Sequence, residues 1–500
     1  MGMTSRCATK RADLPGADAA SRRSAAARGR ITRGAVVTVA AALAVTGCTS
    51  ATTGGSSAPT SARASATTSR HTGAAPSSPS ASTPGSQAST SGQPIDVSEV
   101  DVRGDRRSDA AKLATAAVAD LERYWGRQLP AVYGSAFTPI KAYYSVDTKA
   151  GRRSPSVCGD VTGNAYYCYE DGAIAWDSTG LLTDMRSAYG DIAPQVIMAH
   201  EFGHAVQHRF GYRGKPVVQE LQADCFAGAW LHHAIDDKVV AASSETPTQA
   251  AAAILAVKDP VGEDPRSEQA HGNGFDRVNS FQTGYDDGLK ACKAYTSEEP
   301  VVTELPFTSY TDAASGGNLP YESAMQSGAY DLDDYWEHTY PQVTNGQQWK
   351  PMGKLTPFAT RKPATCGDET VTDAVAYYCP SDDSIGWNDD VTREIYRETG
   401  DFGPIVLLAA QYGKAALSRS GKPLGDDAAD RGVCYAGAYS ADVILHNRPQ
   451  TSSFTMSPGD LDEAIQALLM VGGSDGFDLI RAYRKGALDG PKGCAGAKVS

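Results

Sequence analysis

The chain has 500 residues, too many for one hydrophobic core and enough for two domains or more. Hydrophobic residues make up 41% and charged residues 21%, an ordinary balance for a soluble globular protein. The formal net charge is −12, and residues 1–47 hold eight Lys and Arg against two Asp, so the remainder stands at −18. So acidic a chain argues against nucleic acid or an anionic membrane surface as partner.

Residues 1–33 are rich in Arg and Ala. Residues 34–46 form an apolar run too short to span a bilayer comfortably but suited to the core of a signal peptide. The run ends in Val45-Thr46-Gly47-Cys48, which resembles a bacterial lipobox, in which Cys48 becomes the lipidated first residue of the mature chain. A plain secretory signal or a short membrane anchor is the alternative. All three readings export the protein, either to the outer face of the cell membrane or beyond it. Residues 48–95 are mostly Ser, Thr, Ala, Pro and Gly, which cannot bury enough apolar surface to fold and read as a flexible tether.

From residue 96 the chain reads as α+β. A helix is expected near 107–127, short strands around 138–144 and 164–177, and helices at 192–210, 217–235, 247–257 and 273–290. The first helix after the strands carries His200-Glu201-Phe202-Gly203-His204. Positions i and i+4 lie on one helix face, so two imidazoles can hold one Zn²⁺ while Glu201 reaches a water there as general base. Val196, Ile197, Ala199 and Val206 supply an apolar frame, and Pro194 sits where a first turn tolerates it.

The next helix carries Glu220 and Asp224, one turn apart. Glu220 can complete a set of two His and one Glu, leaving a fourth position open. Asp224 can then accept the other ring N–H of a ligand His, His200 being the best placed. The alternative makes Asp224 the ligand, with Glu220 outside. Gly203 and Gly228 each cost about 1 kcal/mol relative to Ala inside a helix, and close helix–helix approach is a reason to keep them.

The string H-E-F-G-H-A-V-Q followed by E-L-Q-A-D-C-F-A-G-A-W resembles a family of neutral zinc metallopeptidases of bacterial envelope and secreted proteins, within the gluzincin-like zincins. The stretch from His271-Gly272 through Arg277, Phe281 and Gly284 to Cys292 resembles the same family's C-terminal signature, so the likeness covers about 98–298. It implies a zincin-like fold with His200, His204 and Glu220 as metal ligands and Glu201 as the catalytic residue. Zincins usually place their peptide-pairing edge strand just before the active-site helix, which here is Ala173-Ile174-Ala175-Trp176.

The chain also repeats itself. Asp120-Leu121-Glu122-Arg123-Tyr124-Trp125 returns as Asp331-Leu332-Asp333-Asp334-Tyr335-Trp336, and Gly274-Phe275-Asp276 as Gly476-Phe477-Asp478. Cys158-Gly159-Asp160 with Tyr166-Tyr167-Cys168 returns as Cys366-Gly367-Asp368 with Tyr377-Tyr378-Cys379. A metallopeptidase-like domain at 96–300 and a degenerate tandem copy at 308–500 follow. In that copy His200 faces Ala410, Glu201 faces Gln411, His204 faces Lys414, Glu220 faces Ala429 and Asp224 faces Val433. Such a copy should bind no zinc there. His271 faces Gly473, which makes it a candidate donor to a tetrahedral oxyanion, with a capping or surface His as the alternative.

Of ten Cys, Cys7 leaves with the signal segment and Cys48 is the lipid attachment. The remaining eight fall four per copy, and the repeat selects Cys158–Cys168 and Cys225–Cys292, with Cys366–Cys379 and Cys434–Cys494 as their equivalents. An oxidising compartment permits such bridges. No CxxC pair supports a cysteine zinc site.

The expected whole is an exported, lipid-anchored zinc peptidase of the endopeptidase type, acting on a peptide or protein substrate. A non-catalytic envelope scaffold with a vestigial or structural metal site is the rival from another class. A third reading makes the second half an inhibitor of the first. Substrate preference and oligomeric state are not legible.

Overall fold

A computed structural model describes residues 96–495 apart from 213, 265–269, 297–302, 304, 373 and 450. The expected signal segment, Cys48 and the tether over 48–95 lie outside the described residues.

The first half opens with β1 (Val102–Gly104) and α1 (Asp109–Gln128), whose N-terminus is capped by the Ser108 hydroxyl. Then come β2 (Ala142–Val146), β3 (Ala165–Cys168) and β4 (Ala173–Asp177). The sheet order is β1-β2-β4-β3, with β2 parallel to β1 and β4, and β3 antiparallel to β4. The edge beside the active-site helix therefore falls on β3, not on Ala173–Trp176 as expected. All five residues of β4 are buried, because β2 flanks it on one side and the tight 169–172 turn lays β3 along the other. An unbroken apolar run is the pattern of a central strand.

Helices α2 (Leu181–Tyr189), α3 (Ile192–Phe210), α4 (Pro216–Asp236), α5 (Thr246–Ala256) and α6 (Gly274–Asp287) follow. α3 is the axis of this half. It touches α1, α2, α4, α5 and β3, and its residues from Ile192 to Gly203 are all buried. A helix apolar on every side has no other stable place. It ends at Gly211, whose φ of +75° suits a left-handed cap.

The second half presents the same succession. A short α7 (Tyr310–Ala314) precedes α8 (Tyr321–Val343), then β5 (Leu355–Phe358), a hairpin of β6 (Ala364–Cys366) and β7 (Glu369–Val371), β8 (Ala376–Cys379) and β9 (Ser384–Asn388). Again β9 has a parallel neighbour, β5, and an antiparallel one, β8. Helices α9 (Asp389–Thr399), α10 (Phe402–Arg419), α11 (Ala428–Leu445), α12 (Asp460–Gly472) and α13 (Gly476–Asp489) complete it. Matching positions make matching contacts. Asp120 accepts the Trp230 indole N–H at 3.0 Å, and Asp331 accepts the Tyr439 hydroxyl at 2.9 Å.

Backbone proximity is matched too. A Cβ on Gly203 would lie 3.0 Å from the Ala223 Cα, so α3 and α4 touch there, as expected. A Cβ on Gly228 would lie 1.9 Å from the Phe281 carbonyl, and one on Gly437 1.9 Å from that of Tyr483. Only a residue without a Cβ lets α4 meet α6, and α11 meet α13, this closely.

All four expected cysteine pairs lie at bonding distance: Cys158–Cys168, Cys225–Cys292, Cys366–Cys379 and Cys434–Cys494. Among the described residues no helix is long and apolar enough to cross a membrane.

The halves meet through α5 and α6 against α12 and α13. Phe275 packs edge-on against Tyr483, and Phe281 against Phe477. The Phe275 N–H donates to Asp462 and the Phe477 N–H to Thr248. Each contact has its counterpart with the halves exchanged, the signature of an approximate two-fold axis.

Candidate metal centre

α3 supplies His200 and His204 on one face, and α4 crosses it with Glu220 and Asp224. Three side chains converge, Glu220 through both of its oxygens. His200 Nε2 lies 3.1 Å from Glu220 Oε2, His204 Nε2 lies 3.3 Å from Glu220 Oε1, and the two Nε2 atoms are 3.2 Å apart. Zinc bonds of about 2.0–2.1 Å in a tetrahedron put neighbouring donors about 3.3 Å apart. The three side chains therefore fit one face of a zinc tetrahedron.

The other ring nitrogens are held. His200 Nδ1 meets Asp224 Oδ1 at 2.7 Å, and His204 Nδ1 meets Gln207 Oε1 at 3.0 Å. Asp224 is thus the support of a ligand, while Glu220 stands among the donors. Asp224 is fully buried and also takes two N–H bonds from Arg277, at 2.8 and 2.9 Å. The orientation of Gln207 follows from its amide, which donates to the Gln219 carbonyl at 2.7 Å and to Gln222 at 3.1 Å, leaving its oxygen for His204. Gln222 in turn donates to the carbonyls of Cys292 and Tyr295. The Cys225–Cys292 bridge, beside Asp224 and at this carbonyl, anchors the supporting layer.

Glu201 is buried beside the triad, and its Oε2 takes the backbone N–H of Tyr167 in edge strand β3 at 3.0 Å. Burial pushes its carboxyl up, against the lowering charges of His200 and His204. Burial works against the charged form of His200 as well, but Asp224 and Glu220 overcome it and raise the imidazole to about 10. Glu220 is held well below the carboxylate range, because the two imidazoles outweigh its burial.

His271 lies in the loop before α6, half exposed, with Nδ1 3.1 Å from Asp259 Oδ1. Asp259 also takes the N–H groups of His271 and Gly272, both at 2.7 Å. The ring is near enough for its charge to lower the Glu201 carboxyl. His208, read as helix surface, is exposed at the rim, with Nδ1 2.8 Å from the Tyr167 hydroxyl.

Sequence reasoning missed Gln207, Gln222 and Tyr169. The Tyr169 hydroxyl bonds Gln219, and its pKa rises through burial first, then through the Glu220 and Glu201 carboxylates. The residue itself is exposed at 44%, at the rim of the site. Gln207 could have been found, standing one turn beyond His204.

Two histidines and a glutamate around one point, with a second glutamate on the helix of the histidines, are a donor set of the kind that zinc hydrolases use. Residues 69–295, just under half of the chain, match the profile of the family described as "Putative neutral zinc metallopeptidase". This agrees with the resemblance that the motifs of α3 and α4 carry. Among similar proteins, "Uncharacterized protein YpfJ" of Escherichia coli (strain K12) is 29% identical over 209 residues, covering 36% of this chain and 69% of that protein. "Uncharacterized protein Rv2575" of Mycobacterium tuberculosis (strain ATCC 25618 / H37Rv) is 29% identical over 164 residues, covering 26% and 55%. No solved structure matches the chain.

Proposed function

We propose that the protein is an exported zinc-dependent peptidase of the endopeptidase type, with its metal on His200, His204 and Glu220. The observation that carries this reading is the convergence of His200, His204 and both carboxylate oxygens of Glu220, with contacts of 3.1–3.3 Å between the side chains, beside a buried Glu201. Zinc there supplies a Lewis acid for the scissile carbonyl and lowers the pKa of water. Glu201 takes the proton of the attacking water and delivers it to the leaving amine. Its raised pKa suits a group that must both accept and return a proton. His271 and Tyr169 stand as the donors to the oxyanion. β3 is the outer strand of the sheet, along which an extended peptide adds as a further strand.

The second half is a degenerate copy of the first in this reading. Matched strand pairing, matched glycine contacts and matched cysteine bridges support the duplication. Its equivalent positions hold buried Ala410 and Gln411 and half-buried Lys414, whose ammonium is disfavoured by burial. No imidazole or carboxylate remains at these positions to hold a zinc ion. The fold keeps its frame without the ligands, so the ligands in the first half serve chemistry. Lipidation at Cys48 would hold the enzyme at the outer face of the membrane, with residues 49–95 as its tether.

Glu201 also separates this reading from a scaffold with a structural zinc, which needs the three ligands but not the fourth side chain. Metal content of the mature chain and of Glu220→Ala tests the site. One zinc per native chain, lost in the variant, is expected. Peptide cleavage by the native enzyme and none by zinc-loaded Glu201→Gln completes the case. A native chain that takes up no zinc sinks the proposal, and two zinc ions per chain would contradict the account of the second half.

A further inference from the structure

A second cluster of oxygen donors lies in the other half and shares no residue with the metal centre. Asp401, just before α10, and Asp460 and Glu463, in the first turn of α12, each offer a carboxylate oxygen within 4.8 Å of the other two. All three residues are buried, at 4%, 3% and 6% exposure. One oxygen of each is fixed by a backbone N–H at 2.8 Å: Leu319 on Asp401, Ser457 on Asp460 and Phe402 on Glu463. The remaining oxygen of Asp460, Oδ1, has no hydrogen-bond partner among the described residues. A buried acceptor left so is destabilising, the more so when charged.

The surroundings supply another oxygen and little positive charge. A Cβ on Gly400 would lie 2.1 Å from Glu463 Oε1 and 2.5 Å from Asn318 Oδ1, so those two oxygens converge on one point. Asp312, which accepts the Ser457 hydroxyl at 2.9 Å, adds a fourth acidic group. Lys258, the cation acting on Glu463, is itself paired with Asp462 at 2.7 Å. Burial and then mutual repulsion push Glu463 up to about 8; burial, with a smaller push from Asp312, raises Asp401 to about 6.

The first half keeps an aspartate at the place of Asp401, the exposed Asp191 paired with Arg186 at 2.7 Å, but shows that the fold does not need the two carboxylates of α12. Gly190 faces Gln249 there as Gly400 faces Glu463, and Thr246 stands where α12 has Asp460. We propose that Asp401, Asp460 and Glu463, with the Asn318 amide oxygen, bind one calcium ion that ties the start of α10 to α12. Calcium takes six to eight oxygens at about 2.3–2.6 Å, so oxygens on opposite sides of it lie about 4.6–5.2 Å apart, which spans this cluster. An all-oxygen set does not compete for zinc with an imidazole site.

The test is calcium binding by the zinc-loaded native chain and by Asp460→Thr and Glu463→Gln, which copy the first half. Calorimetry with calcium chloride alone should find one site in the native chain. At calcium about a hundredfold above Kd, Tm should rise by about 3 °C. Both variants should lose the binding and the shift while keeping their zinc. In calcium-free buffer their Tm should equal or exceed that of the native chain, because a buried repulsion has gone. If either variant fails to fold, Asp460→Asn keeps the shape and should still lose calcium. No binding by the native chain at about 10 mM calcium, the upper end of weak sites, overturns the proposal. So does undiminished binding in the variants, or a native Tm that rises on acidification but not with calcium, which means a cluster satisfied by protons only.

Discussion

Two side chains that never touch the reacting atoms set the form of the candidate centre. Each ligand imidazole must present a bare Nε2, and a ring whose Nδ1–H already has an acceptor does so. Asp224 is that acceptor for His200 and Gln207 for His204. Gln207→Ala should weaken zinc about 10–100-fold, as competition with a chromogenic chelator will show, and should cost about 1–3 kcal/mol of stability through the acceptors it leaves unpaired. Asp224→Asn should cost at least as much, and it also strands the buried Arg277. Unchanged affinity in both would mean that the supports are idle. The same contacts fix the sign of a pH effect. His200, raised to about 10 in the free site, is protonated at pH 7, so zinc binding must displace that proton and affinity should grow as pH rises toward 10. Calorimetric titration in two buffers of different ionisation enthalpy should give different heats. Equal heats would contradict the assignment.

At the scale of helices, small residues and a bridge decide how close α4 may come to its neighbours. Gly228→Ala gains about 1 kcal/mol of helix propensity, but its Cβ would sit 1.9 Å from a carbonyl oxygen of α6. Overpacking costs about 1–3 kcal/mol and should win, lowering the urea midpoint. Gly437→Ala should behave alike in the other half while leaving zinc affinity untouched. A stabilised Gly228→Ala would refute the close contact. Loss of the Cys225–Cys292 bridge, which closes a 67-residue span, should cost about 2–5 kcal/mol and loosen the metal. Much of this was legible in the residues. The helices fell where apolar periodicity placed them, since α3 and α4 are long and bounded by Pro and Gly. The bridges followed from the repeat. The position of β4 was misread because a zincin analogy overrode the plain meaning of the four-residue apolar run Ala173–Trp176. Gln207, Gln222 and Tyr169 were not legible as a network, because their roles depend on which carbonyls the fold brings to their amides and hydroxyls. The acidic cluster was invisible for the same reason: Asp401 stands 59 residues before Asp460.

At the scale of the molecule, the junction of the halves is self-complementary in kind. Phe275 and Phe281 of α6 meet Tyr483 and Phe477 of α13, residues at the same places in the other half. Thr248 and Asp462 each cap the opposite helix through the N–H of Phe477 or Phe275. Either half alone would expose a buried aromatic face, and such faces are not left in water. Residues 96–300 expressed without the second half should therefore pair with themselves, Phe275 of one copy against Phe281 of the next, or fail to stay soluble. In such a pair Thr248 can still reach the Phe275 N–H, so the polar contact survives the exchange. Sedimentation velocity should find a dimer, and Phe281→Asp should break it. This outcome bears on the role of the second half as well. If that half serves as the permanent partner of the first, the isolated dimer should keep its zinc and cleave peptides no faster than the full chain. If it acts as an inhibitor, the isolated domain should be a soluble monomer that cleaves much faster. The face described here favours the partner, because α12 and α13 lie against α5 and α6, whereas none of their contacts given above reaches His200, His204, Glu220 or the β3 edge. A fast, monomeric first half would overturn that choice.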